Sequence, residues 1–182
     1  SVETGSSKET DPLEPRSPYS ASKAGSDLIA LSYHATHGVD VRVTRCTNNY
    51  GPYQFPEKLI PLAISNALED RPIPVYGRGL NVRDWIYVID HCAAIDTVMQ
   101  GGILGEIYNI GSGHEKANLE LLQKMLEMLG KPQTLLEYVT DRPAHDLRYS
   151  LDCGKIKTQL GWQPACSFED GLKKTIEWYL LN

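Results

Sequence analysis

Helical and extended periodicities alternate along this chain from Pro18 to Leu181, and that alternation leaves few folds open. The clearest unit comes first. Ser17-Pro18 reads as a helix start, a capping serine with proline at the first helical position. Ala21, Ala24, Leu28, Leu31 and Ala35 recur at helical spacing up to Gly38. Val39 to Thr44 then alternates, with Val39, Val41 and Val43 on one side, as a strand does. A helix, a glycine and a β-branched strand make one α/β unit of a parallel sheet.

The alternation continues. Asn48 to Pro56 reads as a loop, and Lys58 to Glu69 as a helix with Pro61 in its first turn. Ile73 to Tyr76 is a short strand, Gly77-Arg78-Gly79 a turn, and Asn81 to Val88 an extended segment. Asp90 is expected to cap a helix through Met99. Ile107 to Ile110 is a strand ending in Gly111-Ser112-Gly113. Asn118 is expected to cap a helix through Leu129, closed by Gly130. Leu136 to Val139 is a strand, Asp152 caps a short helix to Leu160, and Phe168 to Leu181 closes the chain as a helix.

Composition narrows the function classes. The chain has 182 residues, 41% hydrophobic and 23% charged, as expected of a soluble globular domain. A net charge of -5 argues against nucleic acid as a partner. No apolar run is long enough to cross a bilayer, so no membrane partner is expected. The four cysteines lack CxxC spacing and read as free thiols in a reducing, cytoplasmic compartment. No metal site is expected. His34 and His37 lie three apart on a helix, with no carboxylate or thiol placed to complete a ligand set.

Four segments carry groups suited to chemistry. Tyr19 and Lys23 lie one helical turn apart on one face, where a lysine ammonium favours the phenolate. A solvated tyrosine and lysine on an amphipathic helix fit the same spacing. Thr47-Asn48-Asn49-Tyr50-Gly51-Pro52 leaves the C-terminal end of a strand, where ligands sit in open α/β sheets, and is also good turn chemistry. Arg83-Asp84-Trp85 offers a guanidinium whose fork suits a diphosphate, or a surface Arg–Asp pair. Asp141-Arg142-Pro143-Ala144-His145-Asp146 places an arginine and a histidine in a proline-stiffened loop.

Taken in order, these motifs resemble the dTDP-glucose 4,6-dehydratases of the extended short-chain dehydrogenase/reductase superfamily. Pro18 to Lys23, Asn48 to Pro52, Pro56-Glu57-Lys58-Leu59-Ile60-Pro61, Val82 to Trp85, Tyr108 to Gly111 and Asp141 to Asp146 carry the resemblance from about Ser17 to Asn182. The tyrosine–lysine motif is shared across the superfamily. The Pro56–Pro61 and Asp141–Asp146 segments are the more specific.

The resemblance implies an α/β fold, the C-terminal part of an NAD(P)-binding Rossmann-like fold with a smaller α/β substrate domain. Residues 1–52 would be the tail of the cofactor domain. Residues 53–182 would mainly bind the sugar nucleotide, with about 90–111 returning to the Rossmann-like sheet. It implies NAD+ as a recycled cofactor, dTDP-glucose as substrate and a homodimer in the intact enzyme. Tyr19 would take the C4 hydroxyl proton, Lys23 would assist it and hold the nicotinamide ribose, and Asn49 would touch the cofactor. Asn48, Lys58, Leu59, Pro74, Val75, Tyr76, Arg83, Asn118, Asp141, Arg142, Pro143, Ala144 and His145 would contact the substrate.

The chain departs from the family pattern in lacking a Gly-rich strand-to-helix turn and the Thr-Asp-Glu segment that serves water elimination. It reads as a C-terminal portion, expected to be inactive alone and to leave a sheet edge and an apolar face uncovered. Three other readings stay open: a sugar-nucleotide epimerase or decarboxylase of the same superfamily, a non-catalytic sugar-nucleotide-binding module, and an inert remnant.

Overall fold

A computed structural model describes residues 4–142 and 145–182. Helix α1, Pro18–His37, starts as the sequence dictates. The Ser17 hydroxyl accepts from the Ser20 N–H at 3.1 Å, and the Ser20 hydroxyl accepts from the Ser17 N–H at 3.0 Å. It ends at Gly38, whose left-handed φ of 67° turns the chain while its N–H reaches the His34 carbonyl.

Strand β1, Val43–Cys46, begins four residues later than the valine alternation suggested. Its parallel partner β5, Ile107–Ile110, pairs Val43 with Ile107 and offers nothing earlier. The Val41 carbonyl accepts instead from the Gly105 N–H at 2.8 Å, and Val39 stays 45% exposed. Asn48–Tyr50, expected as loop, is a strand, β2. It pairs in parallel with β4, Val82–Tyr87, matching Asn48 to Trp85 and Tyr50 to Tyr87. Pairing lets Tyr50 bury its ring, which no solvated loop would allow.

Strand β4 is the hub. Besides β2 it takes β6, Glu115–Ala117, antiparallel, and β8, Arg148–Tyr149, parallel. A separate parallel pair joins β3, Ile73–Tyr76, to β7, Leu136–Val139. Helices α2 (Leu59–Leu68), α4 (Asn118–Leu129) and α6 (Phe168–Leu181) enclose the larger core around Ile60, Ile64, Leu122, Leu126 and Leu172. A smaller core holds Ile86, Val98, Tyr108, Ile110 and Ile156, under α3 (Val88–Gly101) and α5 (Gly154–Leu160).

Two expected caps take other roles. Tyr87 holds the cap position of α3, and the buried Asp90 carboxylate accepts from the Cys166 N–H at 2.9 Å, tying α3 to the entry of α6. Asn118 lies inside α4 and makes no capping bond, because Ala117 precedes the first turn. Asp152 does accept from the Gly154 N–H at 2.8 Å, although Cys153 occupies the cap position of α5. All four cysteines are free thiols.

Candidate active site

Tyr19 and Lys23 stand one turn apart near the start of α1, Tyr19 being 75% exposed. The helix buries none of its residues. It is tied to the sheet by Asp27, whose carboxylate accepts from Arg45 Nε of β1 at 2.8 Å in a largely shielded pair. The charge of Lys23 reaches the Cys46 thiol at the end of β1. Burial pushes that thiol up, against the lowering effects of the Asn49 bond and Lys23. Asn49 Nδ2 donates to Cys46 Sγ and to the Thr47 carbonyl, both at 3.3 Å. Its Oδ1 is buried with no partner, and so is Thr47 Oγ1. The end of β1, the start of β2 and α1 thus bring Lys23, Cys46, Thr47 and Asn49 into one neighbourhood. Thr47 stood in the Thr47–Pro52 segment without a role, and Cys46 was missed; its only sequence signal is position, directly before that segment.

A second cluster forms around Arg83. Its Nη1 donates to the Val82 carbonyl at 2.7 Å and its Nη2 to the Asp146 carbonyl at 2.8 Å. Burial lowers the Arg83 pKa, the nearby Arg142 lowers it further, and Asp146 opposes them. The Arg142 guanidinium lies 5.0 Å from the centre of the Tyr76 ring. Its Nη2 lies 3.0 Å from His145 Nε2, and His145 Nδ1 lies 2.6 Å from Asp141 Oδ1. Arginine only donates, so Nε2 accepts and the Nδ1 proton points at Asp141. That hydrogen bond holds the Asp141 carboxyl below its usual range. Gly77, at a φ of 57°, makes room for the loop, since a Cβ there would lie 2.8 Å from Asp141 Oδ2. Tyr76, Arg83, Asp141, Arg142 and His145, separated by up to 69 positions, are therefore neighbours.

The remaining expected residues fall unevenly. Asn118 joins this second cluster through Asn81. The Asn118 N–H donates to the Asn81 carbonyl at 3.0 Å, and Asn81 Nδ2 donates to the Asp146 carbonyl at 3.1 Å. Asn118 Oδ1 is buried without a partner. Asn48 lies on β2 opposite Trp85. Lys58 is exposed just before α2, and Leu59 packs against the larger core. Pro74 is half-buried, and Val75 turns its side chain into the core, leaving its main chain for any ligand contact. Pro143 and Ala144 lie outside the described residues.

Asp84 does not pair with Arg83. It is buried and organises the turn after β5, its Oδ1 accepting from the Ser112 hydroxyl at 2.6 Å and the His114 N–H at 3.1 Å, its Oδ2 from the Ser112 N–H at 3.1 Å. Trp85 faces the core beside Tyr50. Two surface hollows, of about 460 and 760 Å³, open elsewhere. One is lined by Lys116, Lys124 and Phe168, the other by Ser112, Cys153 and Trp162. Neither is lined by Tyr19, Asn49 or Arg83. Among the described residues, no helix is long and apolar enough to cross a membrane.

Comparison with known proteins bears on this arrangement. The chain is 54% identical over 182 residues to a dTDP-glucose 4,6-dehydratase of Actinoplanes sp., which covers all of this chain and 57% of that protein. It superposes with a TM-score of 0.98 on the crystal structure of DesIV, a dTDP-glucose 4,6-dehydratase from Streptomyces venezuelae with NAD and TYD bound. That match is 55% identical over 100% of this chain and 56% of DesIV. A UDP-glucose 4-epimerase from Thermotoga maritima gives a TM-score of 0.93 at 29% identity, over 100% of this chain and 59% of that one. The fold is that of NAD-dependent dehydratases and epimerases of the extended short-chain dehydrogenase/reductase type. The chain spans little more than half the length of the curated relatives it matches. A family model described as GDP-mannose 4,6 dehydratase matches residues 1–175, so the chain belongs to that sugar-nucleotide dehydratase family.

Proposed function

We propose that this chain supplies the oxidation base and the nucleotide-holding surface of a dTDP-glucose 4,6-dehydratase. The observation that carries the reading is the Tyr76–Arg83–Arg142–His145–Asp141 cluster. It gathers two guanidiniums and an aromatic face from three separate motifs, and a nucleoside diphosphate needs both kinds of group. The 54% identity to a dehydratase of that name supports the choice of base and reaction. In this reading residues 1–52 belong to the cofactor side and 53–182 mainly to the substrate side.

NAD+, when bound, takes a hydride from the sugar C4 and returns it to C6. The residues of this chain fit the nicotinamide side of such a cofactor. Asn49 Oδ1 is a buried acceptor without a donor, and Lys23 stands near the same strand end. Tyr19 takes the C4 hydroxyl proton during oxidation, with Lys23 one helical turn away on α1. Asn49 holds the cofactor and Asn48 the sugar. Arg83 and Arg142 hold the diphosphate, Tyr76 packs on the base, and Lys58, Leu59, Pro74, Val75, Asn118, Asp141 and His145 complete the nucleotide site. Elimination removes the C5 proton and the C6 hydroxyl as water. No residue of this chain is assigned to that step. The exposed Leu28, Ile29 and Tyr33 of α1 support association as a homodimer, and the free thiols support a cytoplasmic setting.

The test is turnover of dTDP-glucose with NAD+, followed by mass spectrometry for loss of one water. The protein as its gene encodes it should form the 4-keto-6-deoxy product. The 182-residue chain alone should bind dTDP without turnover. Failure of both to bind dTDP would sink the reading.

A further inference from the structure

The loop between β2 and α2 joins the two halves of the proposed site. Asn49 lies on β2 just before it and Lys58 at its end. We infer that the C-terminal turn of α6 is a positioning clamp for this loop, with Gln54 as its central link, so that α6 sets the placement of Asn49 and Lys58 without touching a ligand. This inference rests on the roles proposed above for those two residues.

Three fasteners converge. Gln54 Nε2 donates to the Asn49 carbonyl at 2.8 Å. The Tyr179 hydroxyl donates to the Gln54 carbonyl at 2.8 Å, across 125 residues of sequence. The Tyr53 and Trp178 rings meet at a tilt with centroids 4.6 Å apart, and Trp178 meets Tyr179 edge-on at 4.7 Å. Tyr53 is 85% exposed and holds a left-handed φ of 61°, a conformation that a non-glycine residue keeps only when its surroundings enforce it. The Trp178 ring is the neighbour that the Tyr53 side chain meets there. The turn then closes through the Lys58 N–H on the Phe55 carbonyl at 3.0 Å, directly before α2.

The other end of α6 grips the same segment. The buried Tyr50 hydroxyl donates to the Phe168 carbonyl at 3.2 Å, and Gly171 leaves the space its ring occupies. Helix α6 therefore holds β2 and its loop at two points one helix length apart. The Arg83 cluster is linked separately, through Asn81 and Asp146, so the clamp reaches the nucleotide site through Lys58. A helix packed on the core at one end and on an exposed loop at the other transmits rigidity to that loop.

The experiment uses the protein as its gene encodes it, with Tyr179→Phe and, separately, Trp178→Leu. Amide hydrogen exchange is read by mass spectrometry, dTDP dissociation by calorimetry, and melting by circular dichroism. Exchange at residues 53–58 should rise about fivefold in Tyr179→Phe, the scale of one lost hydrogen bond. Exchange in α4 and the melting temperature should hold, and dTDP should bind a few-fold more weakly. Unchanged exchange at 53–58 in both variants overturns the clamp, and so does faster exchange with unaltered dTDP affinity. If Tyr179→Phe does not fold, Trp178→Leu decides on the same readouts. If the unaltered protein does not bind dTDP, the dehydratase reading fails, and exchange at 53–58 alone still decides whether α6 holds the loop.

Discussion

Leu126 and Leu28 are both helical leucines, one on α4 and one on α1, and their surroundings are opposite. Leu126 is fully buried among side chains of α2, α4 and α6. Leu28 is 61% exposed on a 20-residue helix that buries none of its residues. Full burial of a leucine stabilises by roughly 1.5–3 kcal/mol, and the α2–α4–α6 region holds several such side chains. Helix α1 rests chiefly on one shielded Arg45–Asp27 pair and the strand beside it. The nucleotide cluster stands on the packed region and the proposed base on the bare one. The two halves of the site therefore differ in how firmly this chain alone can hold them.

The sharpest test of that contrast is chemical. Tyr19→Phe in the protein as its gene encodes it should lower turnover by about 10²–10⁴, the usual worth of a positioned acid–base group, with dTDP affinity unchanged. Equal turnover would remove Tyr19 from the base role. Next in size, Leu126→Ala should destabilise this 182-residue chain by about 2–5 kcal/mol in urea unfolding. A cost under about 1 kcal/mol would mean that the core is looser than its burial indicates. Arg83→Ala should weaken dTDP binding by about 1.5–3 kcal/mol by calorimetry, as for a charge-assisted contact. An unchanged dissociation constant would place the diphosphate elsewhere. Smallest, Leu28→Ala should shift the stability of this chain by no more than about 0.5 kcal/mol. A loss above about 1 kcal/mol would show that α1 is packed in solution, by a second copy or otherwise, and would erase the contrast.

The Asp141 loop adds a direction in pH. Its carboxyl is depressed by the His145 bond, so the folded pKa lies below the unfolded one. The stabilisation is fully present above the ordinary value of 3.8 and is lost as pH falls through the lower folded value.

Much of this was readable beforehand, for a local reason. Ser17, Pro18 and Gly38 bound α1 because capping and left-handed turns depend on a few adjacent residues. The start of α6 at Phe168 and its end at Leu181 were equally plain, with Ser167 accepting from the Asp170 N–H at its start. The short strands were not legible. Strands β2, β6 and β8 have two or three residues each, and all three exist because β4 offers both edges to them. Strand pairing is a property of the partner as much as of the segment. The site divides the same way. Tyr19, Lys23, Asn49, Arg83 and His145 were named from motifs, whereas Cys46 emerges only where β1 meets β2.

By itself the sequence determined the bounds of α1 and α6, the α/β alternation and the kinship with sugar-nucleotide dehydratases, because caps, periodicity and ordered motifs are short-range facts. Only the tertiary structure decided that Asp84 anchors a turn instead of pairing with Arg83, that Asp90 ties α3 to α6, and that Val75 faces the core. It also decided that Asp141, Arg142 and His145 gather beside Tyr76 and Arg83. Each of these depends on which surfaces meet across dozens of residues. A buried carboxylate takes whichever donors the fold brings to it, so chain neighbours do not reveal its partners.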